Sequence, residues 1–206
     1  MALHLSYKEI ISTIHMKNKK QKNLTKVILI IILCITIISV GIIMLVNHFY
    51  PVQHLDIVFN YSEIYDLEPE LILAVIHAES RFRESVVSRA GASGLMQIMP
   101  DTAYWLAERI GLSDFDYSQI FAPEINIHLG SYYLYTLIMH FGDIETALAA
   151  YNAGRGNVSR WLNNPDYSSD GKTLDYIPFP ETREYVRRVM ENKRVYYIIL
   201  RVLSTF

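Results

Sequence analysis

Apolar positions fall into two regimes along this chain. From Val27 to Val46 they run as VILIIILCITIISVGIIMLV, 20 residues without a charge. No face of that run is polar, and its length suits a helix crossing a hydrocarbon layer of about 30 Å. After Pro51 the apolar residues recur at helical spacing, and strands are hard to find. Leu55 to Tyr65 is amphipathic. Glu68, Pro69 and Glu70 open a second helix with LILAVIHAES as its body, proline and acids suiting a first turn. Ser93 is expected to cap a helix over GLMQIM, and Asp101 to cap the next, which runs to about Ile110 and stops at Gly111. Pro123 and Glu124 begin a long helix to about Phe141, closed by Gly142. Asp143 caps ETALAAYNA, which stops at Gly154, and a short turn follows from Val158 to Leu162. Residues 163–180 are rich in Asn, Asp, Ser, Gly and Pro and read as an irregular excursion. Loops of that length inside a compact domain are often functional. A last helix runs from Pro180 to about Leu203. The expected class is mainly α, a multi-helix lobe preceded by one transmembrane helix.

Charge sharpens this division. The net charge of −2 gives no reason to expect a nucleic-acid partner. Residues 1–46 nevertheless carry six lysines against Glu9, and the remainder carries 13 basic and 20 acidic residues. A basic tail ahead of an acidic domain places the two parts in different surroundings. With the lysines before the span, the N-terminus is expected in the cytoplasm and the domain outside the cell membrane. A cleaved signal peptide is the nearer rival, but its apolar region is usually about 7–15 residues and ends at small residues. The run here is longer, and Val46 to Pro51 offers no such site. The expected organisation is a basic tail over 1–26, a span over 27–46, a linker over 47–56 and a folded domain over 57–206.

The single cysteine, Cys34, excludes an intramolecular disulfide. The seven histidines are scattered, and no Cys/His spacing suggests zinc. No metal or other cofactor is expected.

Four segments are unusual for a plain helical core. In His77-Ala78-Glu79-Ser80, Glu79 ends an almost unbroken apolar stretch. Desolvation there disfavours the carboxylate and raises its pKa, which suits a general acid; a solvated glutamate at a helix end is the blander alternative. In Gly91 to Pro100, GASGLMQIMP, glycines permit close backbone approach, and Gln97 must be hydrogen-bonded if buried. In AAYNAG a helix ends on the polar pair Tyr151 and Asn152. In PETREYV, Glu181 and Tyr185 lie four apart on one helix face. Each of these last three has an ordinary structural reading as well: a helix start, a helix stop and a surface pair.

The order ES, GASGLMQIMP, AYNAG, ETREYV resembles the catalytic domain of the Slt-type lytic transglycosylases, a lysozyme-like family, over roughly residues 57–200. The resemblance implies a helical lobe with a sugar groove. It also implies peptidoglycan as substrate, cut at the β-linkage between N-acetylmuramic acid and N-acetylglucosamine. Glu79 matches the acid/base. Ser88 matches a serine that hydrogen-bonds near it, and Gln97 and Met99 match groove residues that hold the muramic sugar. Tyr151 matches the tyrosine whose hydroxyl orients the glutamate, and Asn152 supports that turn. Glu181 and Tyr185 match groove-lining residues, and Ser80 is structural. Glu84, Arg89 and Arg155 stand where the family often has proline, and an acidic Glu84 facing the site would shift the Glu79 pKa.

The resemblance also implies a mechanism with one carboxyl group where ordinary glycosidases use two. Glu79 protonates the glycosidic oxygen, and the muramic N-acetyl group stabilises the cationic centre. The Glu79 carboxylate then takes the proton of the same sugar's 6-hydroxyl, which closes an anhydro ring without consuming water. Two other readings remain open at this point: a goose-lysozyme-like hydrolase that leaves reducing ends, and a non-catalytic wall-binding scaffold.

Overall fold

The computed structural model describes residues 8–205, with the helical backbone continuing back to residue 2. The chain divides into two compact units, residues 1–49 and 50–206.

The first unit is one helix, α1, Ala2–Phe49. The apolar run expected as a span is therefore the C-terminal part of a longer helix. From Lys8 to Phe49 none of it is buried against protein, so its apolar surface faces outward all round. By length and composition it is able to cross a membrane. Thr13, Thr25 and Thr36 each donate to the carbonyl four residues back, which satisfies their hydroxyls within the helix.

The second unit is mainly α, as expected. It contains α2 (Leu55–Tyr65), α3 (Pro69–Ser80), α4 (Pro100–Arg109), a 3₁₀ turn (Tyr117–Phe121), α5 (Pro123–Phe141), α6 (Ile144–Ala153), α7 (Arg155–Leu162) and α8 (Pro180–Leu203). Among the described residues there is no strand, only single antiparallel bridges of Val87 to Ser93 and Ser93 to Ile98. Tyr50 and Pro51 already pack with this unit. The Tyr50 ring meets His77 and Tyr196, and the Tyr196 hydroxyl donates to the Pro51 carbonyl at 3.0 Å.

Helix α3 is the central element. Leu71 to Ile76 are all buried, so it is apolar on every side, as a helix surrounded by others must be. It packs along α8, while α5 packs against α2 and α6. This layout holds the C-terminal end of α3, where Glu79 sits, against the first turns of α8.

Several ends form as their residues dictate. Pro69, Pro123 and Pro180 begin α3, α5 and α8. The Asp143 side chain accepts the Thr146 N–H to start α6, and Gly142 closes α5 with φ 73°. Three expectations need correction, and one element was not foreseen. GLMQIM is not a helix capped by Ser93; it is a tight turn held by the two bridges. Asp101 does not cap α4, because Pro100 occupies the first helical turn and Met99 precedes it. The turn expected at Val158 to Leu162 is the end of the full helix α7, which Gly154 precedes. The 3₁₀ turn at Tyr117–Phe121, with its Asp116–Gln119 capping box, was not expected.

Residues 163–179 form the irregular excursion. They are ordered by side-chain turns: Asp170 accepts the Lys172 and Thr173 N–H groups, which hold its carboxyl down at about 2. The Leu174 N–H reaches the Thr146 hydroxyl on α6, and Ile177 is buried.

Candidate active site

Glu79 occupies the last turn of α3, after which the chain leaves the helix through an unusual stop. Arg81 and Phe82, neither of them glycine, both take left-handed backbone conformations, with φ 52° and 61°. Such residues are uncommon there and cost of order 1–3 kcal/mol each. The Arg81 N–H bonds the His77 carbonyl, and the Phe82 ring is buried between His77 and Tyr196. The core thus holds a turn that local preference opposes, directly beside Glu79.

The Glu79 side chain is half-buried. Burial pushes its pKa up to about 7, against opposition from the Tyr185 hydroxyl and the more distant Arg188 guanidinium. No neighbouring carboxylate contributes to the rise. Tyr185 comes from α8 and is buried. Its hydroxyl closes no hydrogen bond of ordinary length and angle. Burial raises its pKa first, and the facing Glu79 charge raises it further. Arg188, one turn on, is exposed and sits 6.0 Å from the centre of the Tyr185 ring.

Tyr151, at the end of α6, is the second hydroxyl near Glu79. Its pKa is pushed well up by burial and then by the Glu79 charge. Its hydrogen bond, however, runs to the Met96 carbonyl at 2.9 Å. Sequence matching had assigned to Tyr151 the hydroxyl that orients Glu79; here its proton fixes the GLMQIM turn, and Tyr185 faces the carboxyl.

That turn is built around a residue the sequence reading missed. Asn126 on α5 is fully buried. Its Oδ1 accepts the Met96 N–H at 2.7 Å, and its Nδ2 donates to the Ser93 and Ile120 carbonyls at 3.1 and 2.8 Å. Gly94, with φ 81°, lies where any Cβ would overlap the Asn126 amide, and a Cβ on Gly130 would overlap Met96. Both glycines are needed for this close approach. The Asn126 signal was present as a polar residue inside the apolar face of INIHLG.

The remaining candidates divide. Gln97, at φ 50°, donates through Nε2 to the Val86 and Gly94 carbonyls, at 3.0 and 2.9 Å. Two carbonyl partners fix which end of the amide is nitrogen, so its oxygen remains as an acceptor. Met99 is exposed beside it. Ser88 was expected to hydrogen-bond near Glu79, but its hydroxyl accepts the Ala92 N–H and closes the 88–92 turn. Asn152 accepts the Thr182 hydroxyl at 2.8 Å, tying the end of α6 to the start of α8. Glu181 is exposed in the first turn of α8. Ser80 bonds the Ile76 carbonyl within its own helix, a structural role as expected. Glu84 faces away to His54, at 3.2 Å, and plays no part in the Glu79 shift. Among the described residues no His, Cys, Asp and Glu cluster is arranged to hold a metal.

Residues 56–173 match the family model for the transglycosylase SLT domain. The chain belongs to this family. The soluble lytic murein transglycosylase of Salmonella typhimurium is 38% identical over 144 residues, covering 68% of this chain and 22% of that protein. The membrane-bound lytic murein transglycosylase C of Edwardsiella ictaluri is 32% identical over 186 residues, covering 78% of this chain and 51% of that protein. A solved structure of an inactive glutamate-to-glutamine mutant of the Pseudomonas aeruginosa lytic transglycosylase Slt superposes with TM-score 0.68 at 32% identity, covering 76% of this chain and 26% of that one. The chain thus spans about a fifth of the soluble transglycosylases it matches, and its SLT domain has the lysozyme-like helical fold of the solved relatives.

Proposed function

We propose that this chain is a membrane-anchored lytic transglycosylase, cleaving the N-acetylmuramic acid to N-acetylglucosamine linkage of peptidoglycan and leaving anhydro-muramic ends. The observation that carries the reading is the Glu79 carboxyl, raised to about 7 by burial with no second carboxylate contributing. Two glycosidase carboxyls about 5 Å apart would interact strongly and drive their pKa values apart. A solitary group near 7 instead suits one residue that gives a proton and then takes one. Glu79 would protonate the leaving oxygen, and its carboxylate would then accept the proton of the muramic 6-hydroxyl, which attacks within the same sugar. Holding that hydroxyl in place substitutes orientation for a bimolecular water attack. The Tyr185 hydroxyl would stabilise the carboxylate between the two steps. Gln97, Met99, Ser88, Asn152 and Glu181 would shape the groove, and Tyr151 would hold its floor through Met96.

The relatives support this reading by their names, and the Pseudomonas relative is inactive as a glutamate-to-glutamine mutant, the type of change that the mechanism predicts to be disabling at Glu79. The outward-facing apolar α1 would be the anchor, as suits a chain related to membrane-bound enzymes. The lysines before the apolar run would keep the N-terminus in the cytoplasm and the domain outside. The test is mass analysis of products released from purified wall. Anhydro ends support the reading; reducing ends would make the protein a hydrolase, and no products would leave it a wall-binding domain.

A further inference from the structure

Helix α8 changes character on its exposed side as it runs. Up to Glu191 that side is charged and paired with itself, Arg187 bridging Glu184 and Glu191 at 2.6 Å each. Beyond Glu191 the sequence holds no acid, and its charges are Lys193, Arg194 and Arg201. Lys193 is taken up by Glu68 at 2.8 Å. Among the described residues, Arg194 and Arg201 pair with no carboxylate. Around them Tyr197, Ile198, Val202 and Leu203 are exposed, Ile198 by 61%.

Helical spacing gathers these residues. Arg194, Tyr197, Ile198, Arg201 and Val202 recur three and four positions apart, which is one face of α8. An Arg201 N–H donates to the Tyr197 hydroxyl at 3.0 Å, and the guanidinium lies 5.6 Å from the centre of that ring. Cation and aromatic ring are thus presented together. The other side of the same turns is committed to the fold: Tyr196 is buried, and Ile199 and Leu200 pack on the core. An exposed apolar stripe flanked by arginines and a tyrosine is the composition of a helix that lies in the headgroup region of a bilayer.

A second observation says what covers this face. The Tyr196 hydroxyl donates to the Pro51 carbonyl at 3.0 Å, and its ring meets the Tyr50 ring. Tyr50 and Pro51 are the first two residues of the folded unit, and α1 ends at the residue before them, Phe49. The exposed stripe therefore begins where the chain enters the domain, whichever way the domain is turned.

We propose that the last turns of α8, from Arg194 to Leu203, rest on the lipid surface of the membrane that α1 enters. The proposal rests on the reading of α1 as an anchor. Arg194 and Arg201 meet the phosphates of anionic headgroups, Tyr197 lies at headgroup level, and Ile198 and Val202 enter the acyl boundary. Tyr185, which faces Glu79, lies about 20 Å along the axis of α8 from Ile198. The contact therefore confines cleavage to glycan close to the membrane.

Fluorescence quenching by brominated lipid reads this contact. Full-length protein is reconstituted into phosphatidylcholine vesicles with and without phosphatidylglycerol. A dye on the native Cys34 reports on α1. A dye on Ile198→Cys, in a Cys34→Ser background, reports on the face. Ser169→Cys in the same background, exposed in the 163–179 excursion, is the control. Melting checks that each variant is folded. Lipids brominated near the headgroup end should quench Ile198→Cys several-fold more than Ser169→Cys, because an interfacial helix sits about 5–10 Å into the headgroup and acyl boundary. Phosphatidylglycerol should strengthen that quenching, and Arg194→Gln with Arg201→Gln should remove the gain. Equal quenching at the two positions, or quenching indifferent to both arginines, overturns the proposal. A dye on Ile198→Cys that is shielded from iodide but untouched by brominated lipid would mean burial against a second copy of the chain, and also overturns it. A dye on Cys34 that escapes lipids brominated in mid-chain overturns the anchor reading instead, so the two failures are distinct.

Discussion

Tyr185 on α8 faces Glu79 on α3 across the main helix pair of the domain, and its buried hydroxyl favours the Glu79 carboxylate against a burial that favours the acid. Removing that hydroxyl should therefore push the Glu79 pKa above about 7. Tyr185→Phe should move the alkaline limb of the pH–rate profile upward. Turnover should also slow by roughly tenfold to a hundredfold, the effect of losing one interaction with a charged group of about 1.5–3 kcal/mol. An unshifted profile in a folded variant would separate Tyr185 from the carboxyl chemistry.

Glu79→Gln should reduce release of anhydro product by about 10²–10⁴-fold, since the amide neither gives nor takes the proton. The stability effect has a definite sign. An acid whose folded pKa is raised destabilises the fold only where it ionises, so the penalty is absent below about 4.5 and fully developed above about 7. Its size is on the order of 3 kcal/mol. Melting curves at pH 4 and pH 8 should show Glu79→Gln near wild type at the lower pH and more stable at the higher. The same stabilisation at both pH values would mean the carboxyl is not desolvated in the folded protein.

Tyr151→Phe tests the other hydroxyl. The change leaves the Met96 carbonyl without its donor and loosens the turn that carries Gln97 and Met99. A destabilisation of about 1 kcal/mol is expected, with a larger loss in turnover than in strand binding. If turnover is unchanged while stability falls, Tyr151 serves the fold alone.

The elements legible in the sequence are those whose ends are set by local chemistry. Pro123 at its start and Gly142 at its end marked α5, and the Asp143 cap marked α6. GLMQIM was misread because an apolar run of that length does not distinguish a buried turn from a helix. What decides it is non-local: Asn126, about thirty residues on, supplies the hydrogen bonds, and Gly94 and Gly130 admit the close approach. The end of α3 at Ser80 was legible, but the left-handed turn that makes it was not, since Arg81 and Phe82 have no local preference for one. Glu79 stood out because an acid at the end of an apolar helix conflicts with its surroundings. The division of labour between Tyr151 and Tyr185 depends on which carbonyl or carboxyl each hydroxyl reaches, and spacing along the chain carries no such information.

Asn126 offers the sharpest test of how the site is built. Its side chain makes three hydrogen bonds from a fully buried position, to one N–H and two carbonyls of separate segments. Asn126→Ala removes all three and opens a void beside Gly94. Each unsatisfied buried group costs about 1–3 kcal/mol, so a loss of about 3 kcal/mol or more is expected, enough to lower the melting temperature by several degrees or more. Asn126→Asp keeps the acceptor for the Met96 N–H but directs an oxygen at the Ser93 and Ile120 carbonyls, so it should be no better tolerated near neutral pH. Asn126→Asp should recover as pH falls, because a protonated carboxyl can donate to one of those carbonyls. Activity should fall with the fold in Asn126→Ala, since the turn it secures also carries Gln97 and Met99. Denaturant unfolding of both variants at pH 4.5 and pH 7.5 makes the comparison. Near wild-type stability for Asn126→Ala would show that the turn holds without its hub, and that Tyr151 and the two bridges suffice to fix the groove.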